Sequence, residues 1–580
     1  MYKNLKSFIS KLKETNQIIE IKESVNPYLE VAEIHRRVID QQGPALLFSN
    51  VEGSSFPLVT NLFGTKQRVD LAFGNRPKEL IEKVANLAPQ LLPPKFSTLW
   101  ENKSLLMSGL KIGSKTKSTA PILENKKQPE LSKLPIITSW KTDGGPFVTL
   151  PLVYTEHPNM KVHNLGMYRI QIYDDKTTGI HWQIHKGGGF HYAEAENLNQ
   201  PLPLNLYIGG PPALILSAIA PLPENVPELI LASLLLNNKL LKAKDPAGGY
   251  DLIGEADFAF CGEVKPFERR PEGPFGDHYG YNSLQHDYPV FHINRMYHRN
   301  NPIYPATVVG KPKQEDYFIG DYLQELLKPL FPLVMPAVED LWSYGDTGFH
   351  SLASAKVKVR YPKEAFASGL RILGEGQLSL TKMLFLLDSC NVNLKNIKEV
   401  FVYLLERCDF KTDIHIFSCI SQDTLDYTGP KVNEGSKLLI TGTGEPIRKL
   451  PDSFTNQVSS NISKVEVFCP GVLVMECESY ESNKQLSKEI NGINDWPFIF
   501  LVDKNSNIGT NDGKFLWTTF TRCEPANDIS SNDLEWIRYH PVMAPPIIFD
   551  CRKKPWHTEE LFVDEETKDL VDKKWSHLFN

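Results

Sequence analysis

Three stretches of the chain hold residue types that do chemistry when their spacing is fixed. The first is Pro271-Glu272-Gly273-Pro274-Phe275-Gly276-Asp277-His278-Tyr279-Gly280-Tyr281. Two glycines and two prolines within six residues exclude a helix interior and make a poor strand, so the segment predicts a rigid turn. It holds a carboxylate at each end, Glu272 and Asp277, followed by a histidine, a set suited to general acid/base work. A solvated surface turn would carry the same residues. The second stretch, His163-Asn164-Leu165-Gly166-Met167-Tyr168-Arg169-Ile170-Gln171-Ile172-Tyr173, runs from polar groups into an alternating strand. The third, His181-Trp182-Gln183-Ile184-His185-Lys186-Gly187-Gly188-Gly189, sets a lysine before a triple glycine. Charge and close-approaching backbone N–H groups there suit a phosphate, although a triple glycine alone reads equally as a flexible turn.

Together and in this order the stretches resemble the UbiD family of decarboxylases. In that family an Asn-x-x-x-x-Arg stretch, a His followed by a basic residue and Gly-Gly, and a Glu-Gly-Pro-(Phe/Tyr)-Gly-(Glu/Asp) turn form one site. The resemblance implies prenylated flavin mononucleotide (FMN) as cofactor, contacted by Met167, Tyr168, Arg169, His181, Trp182, Gln183, Lys186, Gly187 and Lys382. It implies a divalent metal, Mn2+, with K+ as a further ion, held by Asn164, His185 and Glu228; whether His185 or His181 is the metal-side histidine stays open. Glu228 alone would be an ordinary acid in the first turn of a helix. It gains weight because the family's metal Glu lies seven residues after a Pro, as Glu228 does after Pro221. Two positions depart from better-known members. Lys186 replaces an Arg, keeping the charge without the planar fork. Asp277 replaces a Glu, and Asp marks members acting on hydroxyaryl acids.

Loss of CO2 from an aromatic ring leaves an electron pair for which no side chain is an adequate sink, so a cofactor must supply one. In the family reading Arg169 lies between Glu272 and Asp277 and controls how each shifts the other's pKa. Asp277 then gives its proton to the carbon that lost CO2, and Glu272 sets Arg169. Two other classes stay open: a flavin-dependent oxidoreductase, which would need a hydride donor although no GxGxxG fingerprint follows a strand, and a non-catalytic assembly subunit.

The elements that must position these residues predict an α+β fold. Residues 1–115 read as an N-terminal α/β domain, 116–320 as a split β-barrel flavin-binding domain, and 321–580 as a C-terminal α/β domain with an insert over about 394–511 and a terminal amphipathic helix over 558–579. Within the central domain, strands are expected at 147–155, 167–173, 181–185, 204–208, 213–218, 256–264, 290–297 and 303–309, with a single helix at 228–243. Asn26 is a candidate cap for a helix over 28–41, and no internal repeat is evident. A length of 580 residues with 41% hydrophobic and 23% charged content describes a globular protein of several domains. The net charge of −6 argues against a nucleic-acid surface. Eight cysteines without a C-x-x-C pair indicate neither a zinc site nor a disulfide framework, and point to a reducing, cytoplasmic setting. The N-terminus reads as an amphipathic helix, not a secretory signal, and no apolar run is long enough to span a membrane; peripheral membrane contact stays open.

The resemblance further implies an aromatic carboxylic acid substrate, a flavin prenyltransferase as cofactor supplier, and a homo-oligomer, dimer or hexamer. The 374–382 segment and the long insert are similar to the branch that decarboxylates 1,4-dihydroxy-6-naphthoate on the futalosine route to menaquinone. The alternative is 3-polyprenyl-4-hydroxybenzoate decarboxylation in ubiquinone biosynthesis. A bicyclic substrate needs a wide apolar pocket, for which Val308, Val309 and a 543–548 lid are the expected lining.

Overall fold

The computed structural model describes residues 1–91, 111–182, 187–222, 227–509 and 511–579. The chain forms two compact units, Met1–Leu326 with Glu559–Asn580, and Leu327–Thr558. Residues on both sides of the expected domain boundary near 115 fall in the first unit, and the boundary expected near 321 lies close to the division between the units. One hydrophobic core runs from Val31, Ile34 and Leu46 to Phe258, Phe291 and Met296, and takes in Val571 and Trp575. The terminal helix, Glu565–Trp575, therefore packs on its own chain. Its Trp575 is fully buried and donates from Nε1 to Glu30 Oε1 (2.6 Å), and Arg37 pairs with Asp572.

Two sheets organise the first unit. The smaller orders Ile18–Ile21, Ala45–Phe48, Leu58–Thr60 and Tyr304–Pro305. The larger is nine-stranded and antiparallel, in the order Phe147–Val148, Ile170–Ile172, Thr177–Ile180, His286–His298, Phe258–Glu272, Leu202–Ile208, Leu152–Glu156, His163–Gly166, with Asn125–Lys127 on His286–His298. Among the described residues the order closes no ring between its two end strands.

Several expectations for this region are corrected. Residues 213–218 are not a strand but part of the helix Pro212–Ile219. Its all-apolar sequence has no period to distinguish the two, and Pro212 is preset for the first helical turn. The triple glycine opens the helix Gly187–Asn197. The helix expected over 228–243 stops at Leu236, because Asn237 takes a left-handed cap (φ 53°), and Leu240–Ala243 is a strand. Asn26 does not cap its helix; Leu29 is the N-cap, and the backbone N–H of Asn26 donates to Glu30 Oε2 (2.7 Å).

The second unit contains a repeat. Its first five-stranded sheet orders Val338–Ser343, Leu352–Val357, Met383–Leu387, Glu434–Gly442 and Ile414–Ser421, paired antiparallel, parallel, parallel, antiparallel. Its second orders Ile462–Cys469, Val472–Cys477, Phe498–Asp503, Ile547–Asp550 and Ile529–Ser531 with the same sequence of senses. Registers match: Leu352 faces Met383 and Met383 faces Leu438, as Val472 faces Phe498 and Phe498 faces Ile547. Ile414 faces Ile440, as Ile529 faces Phe549. A shift of 115 residues carries Met383 to Phe498, the cap Asn396 to the cap Asn511, Arg407-Cys408 to Arg522-Cys523, and Asp413-Ile414 to Asp528-Ile529. The helices Ile397–Arg407 and Asp512–Thr521 share one core with both sheets.

The expectation of no repeat is thus overturned. Only eight of the 32 positions 383–414 are identical after the shift, too few to see without the strand pairing. Residues 414–442 supply two strands of the first sheet, so this part of the expected insert belongs to the first copy.

Candidate functional site

The site residues meet at one end of the central sheet. Phe258–Glu272 and His286–His298 pair from Phe258↔His298 to Glu272↔His286, so Glu272 ends its strand and Asp277 lies in the turn beyond it. Ile170–Ile172 pairs with Thr177–Ile180, which in turn pairs with His286–His298. Arg169 directly precedes the first of these strands and His181 directly follows the second. They are adjacent, the His181 N–H donating to Arg169 O (3.2 Å).

The turn is held by side chains from outside it. Asp143 accepts from Gly276 N (2.8 Å), and Gly144 N donates to Pro274 O (2.8 Å). Gln171 bridges Gly273 N (2.7 Å) and Gly144 O (2.8 Å), and Ser283 Oγ accepts from Phe275 N (3.1 Å). Gly273 has φ 95°, open to glycine and strained for other residues. A Cβ at Gly276 would lie 2.1 Å from Trp140 Cδ1, so only glycine fits there.

Arg169 joins the two acids. Its Nε and Nη2 donate to both oxygens of Glu272 (2.8 and 3.0 Å), its Nη1 donates to Asp277 Oδ2 (2.5 Å), and Nη2 also reaches Ser283 Oγ (3.2 Å). His181 Nδ1 lies 3.2 Å from Glu272 Oε2, and His278 Nδ1 lies 2.5 Å from Asp277 Oδ1. Glu272 is fully buried. Burial pushes its carboxyl up, but the Arg169 charge and the His181 hydrogen bond outweigh burial and hold it at about 2. For Asp277 burial is again the largest effect, outweighed by the His278 hydrogen bond and charge and then by Arg169, which hold it at about 2. Both acids are therefore carboxylates near neutral pH. Asp143 differs: burial pushes it up to about 6.

A second cluster holds two of the three expected metal ligands. Asn164 Nδ2 and Leu165 N donate to the two oxygens of Glu228 (2.8 and 2.9 Å), and Asn164 Oδ1 accepts from Tyr168 OH (2.8 Å). Burial raises the Glu228 carboxyl, and among the described residues no cationic side chain pairs with it. A half-buried carboxylate with no paired cation, next to an asparagine whose amide also carries an oxygen, is a donor set that fits a divalent cation. His185, the third expected ligand, lies outside the described residues, as do Gln183 and Lys186. Among the described residues no three His, Cys, Asp or Glu side chains converge as a metal cage.

The expected cofactor contacts next to these clusters also fit a heteroatom-rich ligand. Among the described residues, His181 Nε2 and Trp182 Nε1 are buried without a hydrogen-bond partner. Gly188 N donates to Tyr168 OH (3.2 Å), and a Cβ at Gly188 would lie 2.7 Å from Trp182 Nε1. Met167 sits with Tyr168 and Arg169 in the connection between His163–Gly166 and Ile170–Ile172. Lys382 belongs to the second unit, where it is 2% exposed and paired with Asp426 (2.7 Å), so its ammonium is already committed. Of the expected pocket lining, Val308 is buried in the first unit, Met543, Ile547 and Ile548 are buried in the second, and Val309 and Ala544 are half-buried. Asp143, Gln171 and Ser283 escaped the sequence reading because none lies in the motif it holds in place.

Similarity to known proteins agrees with this geometry. The 3-octaprenyl-4-hydroxybenzoate carboxy-lyase (UbiD) family models match in order: the N-terminal domain at residues 9–88, the Rift-related domain at 114–312 and the C-terminal domain at 317–442. An uncharacterized protein of Chlamydia trachomatis is 48% identical over 579 residues, 99% of this chain and 100% of its own length. A Chlamydia pneumoniae protein, named as a subunit of 4-hydroxybenzoate decarboxylase, is 47% identical, covering 99% of this chain and 98% of its own. The fold is similar to vanillic acid decarboxylase of Sedimentibacter hydroxybenzoicus (TM-score 0.68, 23% identity, 79% of this chain and 96% of that one). It is also similar to the UbiD-class enzyme HmfF of Pelotomaculum thermopropionicum in complex with FMN (TM-score 0.62, 21% identity, 79% and 97%). With all three domain matches in sequence order around the Arg169 cluster, the chain belongs to the UbiD family of carboxy-lyases.

Proposed function

We propose that this chain decarboxylates a hydroxyaryl carboxylic acid with prenylated FMN. The observation that carries the reading is one buried guanidinium, Arg169, shared between Glu272 and Asp277. Glu272 takes two of its donors and fixes its plane, leaving the Asp277 side as the edge at which an incoming carboxylate can compete. A substrate carboxylate there is neutralised by Arg169 and weakens the hold on Asp277. A second negative charge beside Asp277 raises its pKa, which turns a carboxylate into a proton donor for the carbon that has lost CO2.

Prenylated FMN supplies the electron sink when bound. His181, Trp182, Tyr168 and the Gly187–Gly188 backbone would hold it, with Asn164 and Glu228 placing a divalent cation such as Mn2+ against its phosphate. The fold neighbour bound to FMN supports this choice.

Within hydroxyaryl acids a 4-hydroxybenzoate ring is favoured by the name of the Chlamydia pneumoniae relative and by the family description. 1,4-Dihydroxy-6-naphthoate is the second reading, supported by the 374–382 segment. The test is a side-by-side CO2 assay on holoenzyme, with the cofactor's mass and visible spectrum recorded. Release from 4-hydroxybenzoate, prenylated or not, supports the first reading, and release only from the naphthoate supports the second. No release from any hydroxyaryl acid by protein loaded with prenylated FMN overturns the decarboxylase reading.

A further inference from the structure

An acid that protonates carbon is only as well placed as the backbone that carries it. Asp277 donates its N–H to Tyr281 O (3.1 Å), and its carbonyl accepts from Gly280 N (2.9 Å). Gly276 and Asn282 form an antiparallel bridge, and Ser283 N donates to Phe275 O (2.8 Å). The reacting turn is thus folded back on residues 280–283, and whatever fixes those residues fixes Asp277.

The far end of the chain fixes them. Glu559–Asn580 belongs to the first unit. Tyr281 and Glu560 face each other in an antiparallel bridge flanked by two backbone bonds: Asn282 N donates to Glu559 O (2.9 Å), and Leu561 N donates to Gly280 O (3.0 Å). Gly280 is therefore bonded on both sides, to Asp277 by its N–H and to the tail by its carbonyl. Asn282 also ties in the neighbour of Asp143, its Oδ1 accepting from Thr142 Oγ1 (2.6 Å). The Lys311–Glu560 ion pair (2.7 Å) is exposed on both side chains and contributes little, so the hold lies in the backbone bonds.

This strap is itself anchored. Leu561 is buried (8% exposed), and only Phe562 and Val563 separate it from Asp564. Asp564 accepts from Thr567 N (3.2 Å) and Thr567 Oγ1 (2.8 Å) and so caps the helix Glu565–Trp575, whose Val571 and Trp575 are fully buried. Two extended residues span about 7 Å, so the strap has little slack with which to slide along the turn. Chain ends are ordinarily the least ordered parts of a domain unless tied down. This one is tied down three residues after it meets the reacting turn.

We propose that Glu559–Leu561 is part of the site: through Gly280 and Asn282 this strap holds the backbone of Asp277 where its carboxyl can reach the substrate carbon. Leu561 is a positioning residue that works by its N–H. The proposal rests on the decarboxylase reading.

The test uses holoenzyme. Leu561→Pro deletes the N–H that reaches Gly280 O, and the ring asks of Glu560 only the extended backbone that a strand bridge already has. It should lower kcat on the order of 10²-fold while KM and bound flavin stay near wild type. Leu561→Met keeps the N–H and nearly the same volume, and should recover the rate. Hydrogen exchange reads the same contact without turnover. In wild type the amides of Leu561 and Asn282 should exchange as slowly as those of Asp277 and Gly280. In Leu561→Pro the amides of Asp277, Gly280 and Asn282 should speed up together, while the Leu202–Ile208 strand stays protected. Two glycines inserted between Phe562 and Val563 slacken the strap without altering a bonded residue, and should lower kcat at least about tenfold; they decide the matter if Leu561→Pro does not fold. The proposal is overturned if the folded variants turn over within about threefold of wild type, well short of the effect of a misplaced acid. It is also overturned if the wild-type Leu561 amide exchanges as freely as an exposed loop, or if flavin and protection across the whole first unit are lost along with kcat, which would make the strap a general brace. A wild type inactive on every hydroxyaryl acid would instead strike the decarboxylase reading, and the exchange pattern would still report whether the strap holds the turn.

Discussion

Arg169 is a cation shared by two buried acids, and the consequences are electrostatic. Glu272 has its carboxyl held at about 2, below the ordinary glutamate value, so the stabilisation it gives is complete above that ordinary value and is lost as pH falls toward 2. Glu272→Gln leaves Arg169 with one carboxylate in a buried site, which should cost about 3–5 kcal/mol. Denaturation curves should show that deficit unchanged from pH 8 to about 5 and shrinking below about 4.5, where the unfolded wild-type chain takes up a proton that the folded site still excludes. A deficit that shrank toward alkaline pH would contradict the assignment. The metal pair has a separate readout. Glu228→Ala should release bound metal and flavin together, measured by elemental analysis and by flavin absorbance, with far-ultraviolet circular dichroism unchanged. Full flavin retention in a metal-free variant would remove the metal bridge.

At the scale of elements, the reacting turn owes its shape to contacts made far away in sequence. Gly276→Ala would drive a methyl group into Trp140 and displace Asp277. A misplacement of about 1 Å can cost on the order of 10² in rate, so kcat should fall that far while the fold and bound cofactor persist. Normal turnover by this variant would show that the turn tolerates movement. The same dependence on distant contacts explains what could be read from sequence. Glu272 and Asp277 were legible because they lie in one short turn whose residue types already suggest acid–base chemistry, whereas Arg169, Asn164 and Glu228 stood out only through the resemblance of their stretches to the family's. Asp143, Gln171 and Ser283 were not, because hydrogen bonds to backbone atoms leave no motif. Strand and helix were confused at 213–218, where an unbroken apolar run fits either period, and the 228–243 helix was overextended because one asparagine in a left-handed cap outweighs the apolar residues after it.

At the scale of the whole molecule the second unit is the larger surprise, since a repeat with eight identities in 32 positions becomes visible only through strand register. Its two copies share one core, so Phe385→Ala and the matching Phe500→Ala should each cost about 3–5 kcal/mol. Calorimetry should show the second unit melting in one transition in both variants; a separate early transition in Phe500→Ala would mean that the second copy folds as an appendage. The family's C-terminal model ends at residue 442, before the second copy starts, whereas the Chlamydia relatives run the full length. Lys382 and Lys437, buried among the acids of the first copy, correspond to Pro497 and Pro546 in the second. One scaffold thus carries two different interiors: where the first copy seals two cations in among carboxylates, the second has prolines, which bring neither charge nor a backbone N–H to the same places.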